Sequence, residues 1–180
     1  MASILKVDSI RGTGLDSDSI SIDGSGNLTT AKTLSAPGHV IQVVQGTYAT
    51  FTNTTSSSFV DIGLSAAITP VSSSSKVLVR VAAHGIAQNG DTAKTELALL
   101  RGSTILQYAL RPAFNDTGGG SDYITGSCAI EFLDSPSTTS ATTYKLQFRT
   151  RDGGGSTRFN DYHTGSERST STITLMEIAQ

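Results

Sequence analysis

The chain has 180 residues and a mass of 18.7 kDa, room for one ordinary domain with a short extension and too little for two full cores. A formal net charge of -2 and a pI near 5.8 argue against a surface built to neutralise nucleic-acid phosphates or anionic lipids. Cys128 is the lone cysteine, which excludes a disulfide framework or a multi-thiolate metal site. Ser and Thr together form roughly a quarter of the chain, and 18 Gly stand beside 4 Pro, a mixture that favours strands and turns over long helices. The 37% hydrophobic share is low for a solitary core, so a subunit interface is expected to supply the missing burial.

Residues 1–37 carry short apolar pieces (Ile4, Leu5, Val7, Ile10; then Ile20, Ile22, Leu28) between Gly- and Asp-rich turns. Gly12-Thr13-Gly14 and Asp23-Gly24-Ser25-Gly26-Asn27 are turn sequences, and Ile20 and Ile22 alternate with polar residues at strand period. Such pieces cannot build a core in one chain and suit three copies sharing an axis. Residues 1–12 lack the apolar core of a secretory signal, and no run is long enough to span a bilayer as a helix. Synthesis in a cytoplasm without export or membrane insertion is the expectation.

From residue 38 onward alternation replaces the short pieces. Strands are predicted over 40–45, 59–62 and 76–83, the last with Val77, Val79 and Val81 on one face and a turn at Gly85. Residues 95–100 and 104–110 flank Arg101-Gly102-Ser103, a hairpin connection. Over 123–133, Cys128, Ile130 and Phe132 share one face, while Ala129, Glu131 and Leu133 share the other. Tyr144, Leu146 and Phe148 alternate with Lys145, Gln147 and Arg149, and a last strand covers 172–178. Eight or nine strands without a helix predict an all-β, antiparallel β-sandwich of the jelly-roll kind over 38–180, preceded by a β-rich attachment segment over 1–37.

Catalytic patterns are missing. His39, His84 and His163 form no HxH or HExxH pair, so neither a metal nor any other cofactor is expected. No GxSxG elbow accompanies the many serines. Glu96, Glu131, Glu167 and Glu177 offer no placed carboxylate pair, and Glu131 and Glu177 read as structural. Gly118-Gly119-Gly120 and Gly153-Gly154-Gly155 lack the Lys-Ser/Thr of a phosphate loop, and Asp16-Ser17-Asp18 lacks a calcium loop's twelfth-position Glu because Asn27 stands there. No enzyme is expected. Arg158-Phe159-Asn160-Asp161-Tyr162-His163 is chemically richer, joining rings for apolar sugar faces with groups for hydroxyls. The competing reading makes Phe159 and half this segment a core strand.

The segment 130–146, from Ile130-Glu131-Phe132-Leu133-Asp134-Ser135-Pro136 to Tyr144-Lys145-Leu146, resembles the C-terminal domains of tail-fibre-like proteins of bacteriophages. So does the ending Ser171-Thr172-Ile173-Thr174-Leu175-Met176-Glu177-Ile178, and Ile4-Leu5-Lys6-Val7-Asp8-Ser9-Ile10 is similar to the N-terminal segment of that class. The resemblance implies a homotrimeric virion protein, on tail or capsid, with a jelly-roll head similar in architecture to C1q and tumour necrosis factor domains. It implies attachment to other virion proteins through residues 1–37; the functional expectation from the chemistry of 158–163 is that apical loops of three subunits contact host surface polysaccharide, with Asp161, Tyr162 and His163 as the receptor-binding candidates. A capsid decoration or head-fibre protein without a receptor role is the alternative, and a polysaccharide-degrading enzyme the one from another class. If the last strand ends beside the N-terminal segment, strand parity puts loops 161–167, 134–142 and 101–103 at the far end and 151–157 at the base.

Overall fold

A computed structural model describes residues 9–10, 20–30, 36–89, 94–109, 123–151, 155–161 and 169–180. The described residues contain strands and no helix, so none of them forms a helix long and apolar enough to cross a membrane. All strand pairs are antiparallel.

The first three strands, β1 (Ser9–Ile10), β2 (Ile20–Ile22) and β3 (Leu28–Thr30), form a small sheet in chain order. The β2–β3 hairpin turns on Asp23, whose Oδ1 accepts from the Ser25 and Asn27 amides while Oδ2 accepts from Asn27 Nδ2. These bonds, the Asn27 side chain foremost, hold the Asp23 carboxyl below its ordinary pKa. Gly26 adopts φ 84°, which the turn requires and which Gly supplies without steric cost. Ile22 stays 47% exposed, in keeping with strands too short to bury a core.

The sandwich uses ten strands: β4 (Val40–Tyr48), β5 (Thr52–Thr54), β6 (Val60–Ile68), β7 (Lys76–Asn89), β8 (Lys94–Arg101), β9 (Thr104–Ala109), β10 (Tyr123–Asp134), β11 (Thr142–Arg151), β12 (Ser156–Phe159) and β13 (Ser171–Ile178). One sheet has the order β4-β13-β7-β12-β5, with β10 on the other edge of β7; the second has the order β6-β11-β8-β9. Strands β4, β13, β7 and β10 thus face β6, β11, β8 and β9, an eight-strand, two-sheet jelly-roll arrangement. Alternate residues of both sheets meet in one core: Ile62, Leu64, Ile68, Leu97, Leu99, Tyr144, Leu146 and Phe148 from one side, Val77, Val79, Val81, Ile130, Ile173 and Leu175 from the other.

Strand β7 organises the larger sheet. It pairs with β10 along its whole length, whereas its opposite edge is shared, with β13 beside residues 76–82 and β12 beside residues 87–89. Gly85 sits at the changeover with φ 57°, and a Cβ there would lie 2.7 Å from both N and O of Asp161. The predicted turn at Gly85 is therefore a kink within a continuous strand, and only glycine lets the neighbouring backbone approach so closely. Asn160, itself at φ 53°, anchors the junction: its Nδ2 donates to the carbonyls of Tyr48 and Thr50, and Ser171 Oγ donates to its Oδ1.

Polar clusters close the two ends of the apolar core. At the end where the chain enters β4 and leaves β13, marked by the Gly38 amide donating to Ala179 O, Asp134 accepts from Arg101 and from Tyr144. At the far end the Thr157 hydroxyl bonds those of Thr95 and Thr150, and Thr150 also donates to Thr54 O. Every buried hydroxyl in that cluster has a partner, as burial demands.

The loop assignment changes with β12. Asp134 lies opposite Val77, and Arg101 opposite Tyr144, so loop 134–142 and turn 101–103 are basal, not apical. Arg151 lies opposite Lys94 and Ser156 opposite Asn89, so the connection between β11 and β12 is at the far end, not the base. Strand β12 runs the same way as β13, both antiparallel to β7, so it makes no crossing between the two ends; the expected parity counts a crossing there and is therefore reversed for every earlier loop.

Candidate functional site

The sugar-binding candidate begins inside the sheet. Arg158 and Phe159 belong to β12, and Phe159 is fully buried with its ring centroid 6.4 Å from that of Tyr48. Asp161 is 6% exposed; its amide donates to Gly85 O, and Arg158 lies 3.2 Å from its Oδ2. The described half of the segment thus anchors the chain between β12 and β13. Tyr162 and His163 lie outside the described residues.

Of the other residues weighed for chemistry, His39 is exposed at the base, and His84 Nδ1 lies 3.0 Å from Ser127 Oγ. No group of three His, Cys, Asp or Glu among the described residues is placed to hold a metal ion. Cys128 is half-buried, and desolvation pushes its thiol pKa up, away from nucleophilic character. Glu177 is fully buried: Gln42 Nε2 donates to its Oε2 and the Val71 amide to its Oε1. Burial alone would raise its pKa, but these bonds hold it below the ordinary value. It ties the 69–75 connection to the last strand and is a structural carboxylate.

A different surface carries the arrangement most suited to a partner. Strand register lines the outward side chains of the larger sheet into transverse rows. Val43, Met176, Leu78 and Leu133 stand side by side across β4, β13, β7 and β10. This apolar row is about 14 Å wide, from the usual spacing between strands. At its two ends Val43 is 58% and Leu133 49% exposed. The next row, Gln45, Thr174, Arg80 and Glu131, is polar, with Arg80 Nε 3.1 Å from Glu131 Oε2 and Gln45 Nε2 donating to Thr174. Thr47, Thr172, Ala82 and Ala129 follow, and their small side chains leave a shallow concavity of about 370 Å³ beside Arg80 and Glu131. Among the described residues β10 pairs on one edge only, despite its twelve residues. A long strand with a free edge next to exposed apolar residues is a surface that proteins cover.

The alternation over 123–133 puts Leu133 and Glu131 on one face, opposite Ile130 and Phe132, and in the structure that face is the outer one. Sequence alone does not align Leu133 with residues 43, 78 and 176, because that requires the register of four strands. No protein-family model matches the chain, and no curated protein sequence matches it.

Proposed function

We propose that this chain is a non-enzymatic structural protein of a bacteriophage virion and works as a homotrimer whose subunits meet through the outer face of the larger sheet. The observation that carries the reading is the row Val43, Met176, Leu78 and Leu133, apolar side chains aligned across four strands on a face with no covering element among the described residues. The Arg80 and Glu131 pair beside it supplies both charge signs within one patch, so two copies can exchange partners across a contact. Threefold symmetry and the virion setting come from the resemblance of segment 130–146 and of the chain's ending to tail-fibre-like proteins. In the same reading residues 1–37 dock on other virion proteins, and the segment holding Asp161, Tyr162 and His163 meets host surface polysaccharide, with Asp161 as its buried anchor.

An antibody against the protein, applied to virions of the phage that encodes it, tests the setting. Label on the tail supports host attachment, and label on the capsid supports the decoration role. Virions that carry no copies contradict the reading.

A further inference from the structure

The outer face of the smaller sheet holds a cluster that the oligomer reading does not use. Asp61, Gln147, Ala98 and Tyr108 form one outward row across β6, β11, β8 and β9, with Arg149 and Glu96 paired in the next row. Phe59, just before β6, and Tyr108, on the edge strand β9, lean toward one another over the two strands between them. Their ring centroids are 5.9 Å apart and tilted by 39°. Ala98, between Gln147 and Tyr108 in this row, is fully buried. The Arg149 guanidinium lies 4.5 Å from the Phe59 centroid, within cation–π range.

Tyr108 is 60% exposed, which leaves much of its ring open to a ligand. Paired polar groups stand in its row and in the next one. Lys145 Nζ and Gln147 Nε2 donate to Asp61, while Arg149 Nε and Arg151 NH1 donate to Glu96. The Lys145 bond chiefly holds Asp61 below its usual pKa; burial opposes a lowered pKa at Glu96, and the two arginines overcome it. The two carboxylates therefore stay ionised and oriented at neutral pH.

We propose that this cluster is a carbohydrate-binding platform for a neutral hexopyranose unit of a glycan. The exposed face of Tyr108 stacks on the apolar face of the sugar ring, and Asp61, Gln147 and Arg149 exchange hydrogen bonds with its hydroxyls. Both charge signs are already matched within the rim, which disfavours a polyanion or a polycation and suits a ligand of neutral hydroxyls, each both donor and acceptor. The surface is shallow, so a single contact is weak, and repetition along a polysaccharide raises the effective affinity. The platform is complete within one subunit and does not rest on the oligomer reading.

Saturation-transfer NMR on the full-length protein, with the methyl glycosides of glucose, galactose and N-acetylglucosamine as probes, tests this directly. Transfer to ring protons of at least one glycoside is expected with the wild type. Tyr108→Phe retains it, and Tyr108→Ser weakens binding by roughly tenfold or more. Because Tyr108 is exposed, the circular dichroism spectrum and solution mass of Tyr108→Ser stay those of the wild type. Asp61→Asn provides a second variant, expected to weaken binding with the rings intact. No transfer to any of the three glycosides, or transfer that survives Tyr108→Ser, overturns the proposal while leaving the oligomer reading untouched.

Discussion

Tyr144 donates its hydroxyl to Asp134 Oδ2 at 2.7 Å, a bond that joins the two sheets at the base of the sandwich. Tyr144 lies on β11 of the smaller sheet, Asp134 ends β10 of the larger, and Arg101 on β8 completes the cluster. Burial, then the hydrogen bond to Asp134 and that residue's charge, drive the phenol's pKa well above its ordinary value, so Tyr144 stays protonated at neutral pH.

Tyr144→Phe removes one donor while Arg101 still serves the carboxylate, and a loss of about 1–2 kcal/mol is expected. Asp134→Ala strands both the guanidinium and the phenol, with an expected loss of about 2–4 kcal/mol. Urea unfolding of the two variants beside the wild type checks the order. Equal losses would mean that the Arg101 bond to Asp134 adds nothing beyond the Tyr144 bond.

Acid should weaken the fold partly through Glu177. Its pKa in the folded chain is below its ordinary value of 4.5, so the unfolded chain binds its proton more tightly. The carboxylate's contribution is complete above pH 4.5, declines as pH falls below that value and is gone once pH has passed the folded pKa. Glu177→Gln is therefore less stable than the wild type at pH 7, and the gap between their urea midpoints narrows toward pH 3. A gap constant with pH would contradict this assignment.

Gly85 and Gly102 share the same backbone conformation, φ 57°, and differ in surroundings. An added Cβ at Gly102 meets nothing within 4 Å, so Gly102→Ala carries only the conformational cost of about 1–2 kcal/mol. At Gly85 the same Cβ meets backbone atoms of Asp161 at 2.7 Å, so Gly85→Ala is expected to cost clearly more and to loosen the junction of β12 with β13. Thermal unfolding of both variants makes the comparison, and similar midpoints would show that the junction adapts.

The sandwich was legible where alternation was strong. Val77, Val79 and Val81, then Tyr144, Leu146 and Phe148, then Ile173 and Leu175 all face the core as their spacing predicts. Strand β12 was legible only as the competing reading that put Phe159 in a core strand; its start at Ser156-Thr157 and its direction, the same as that of β13, have no mark in the local pattern. Its place is fixed by Asn160 and Gly85, a pair 75 residues apart whose segments meet only through the fold. Strand β5, Thr52–Thr54, has no apolar residue to mark it and exists because β12 pairs with it. The loop containing Phe59 and the edge strand containing Tyr108 likewise converge only once β11 and β8 lie between them.

The proposed trimer, joined through the outer face of the larger sheet, is tested by light scattering of the full-length protein at micromolar concentration. The proposed trimer gives the mass of three chains for the wild type. A single-chain mass, with an unchanged strand spectrum by circular dichroism, is expected for a variant carrying Val43→Asp and Leu133→Asp, two exposed ends of the apolar row. A wild-type mass of one chain, or a trimer that persists in the double variant, would contradict it.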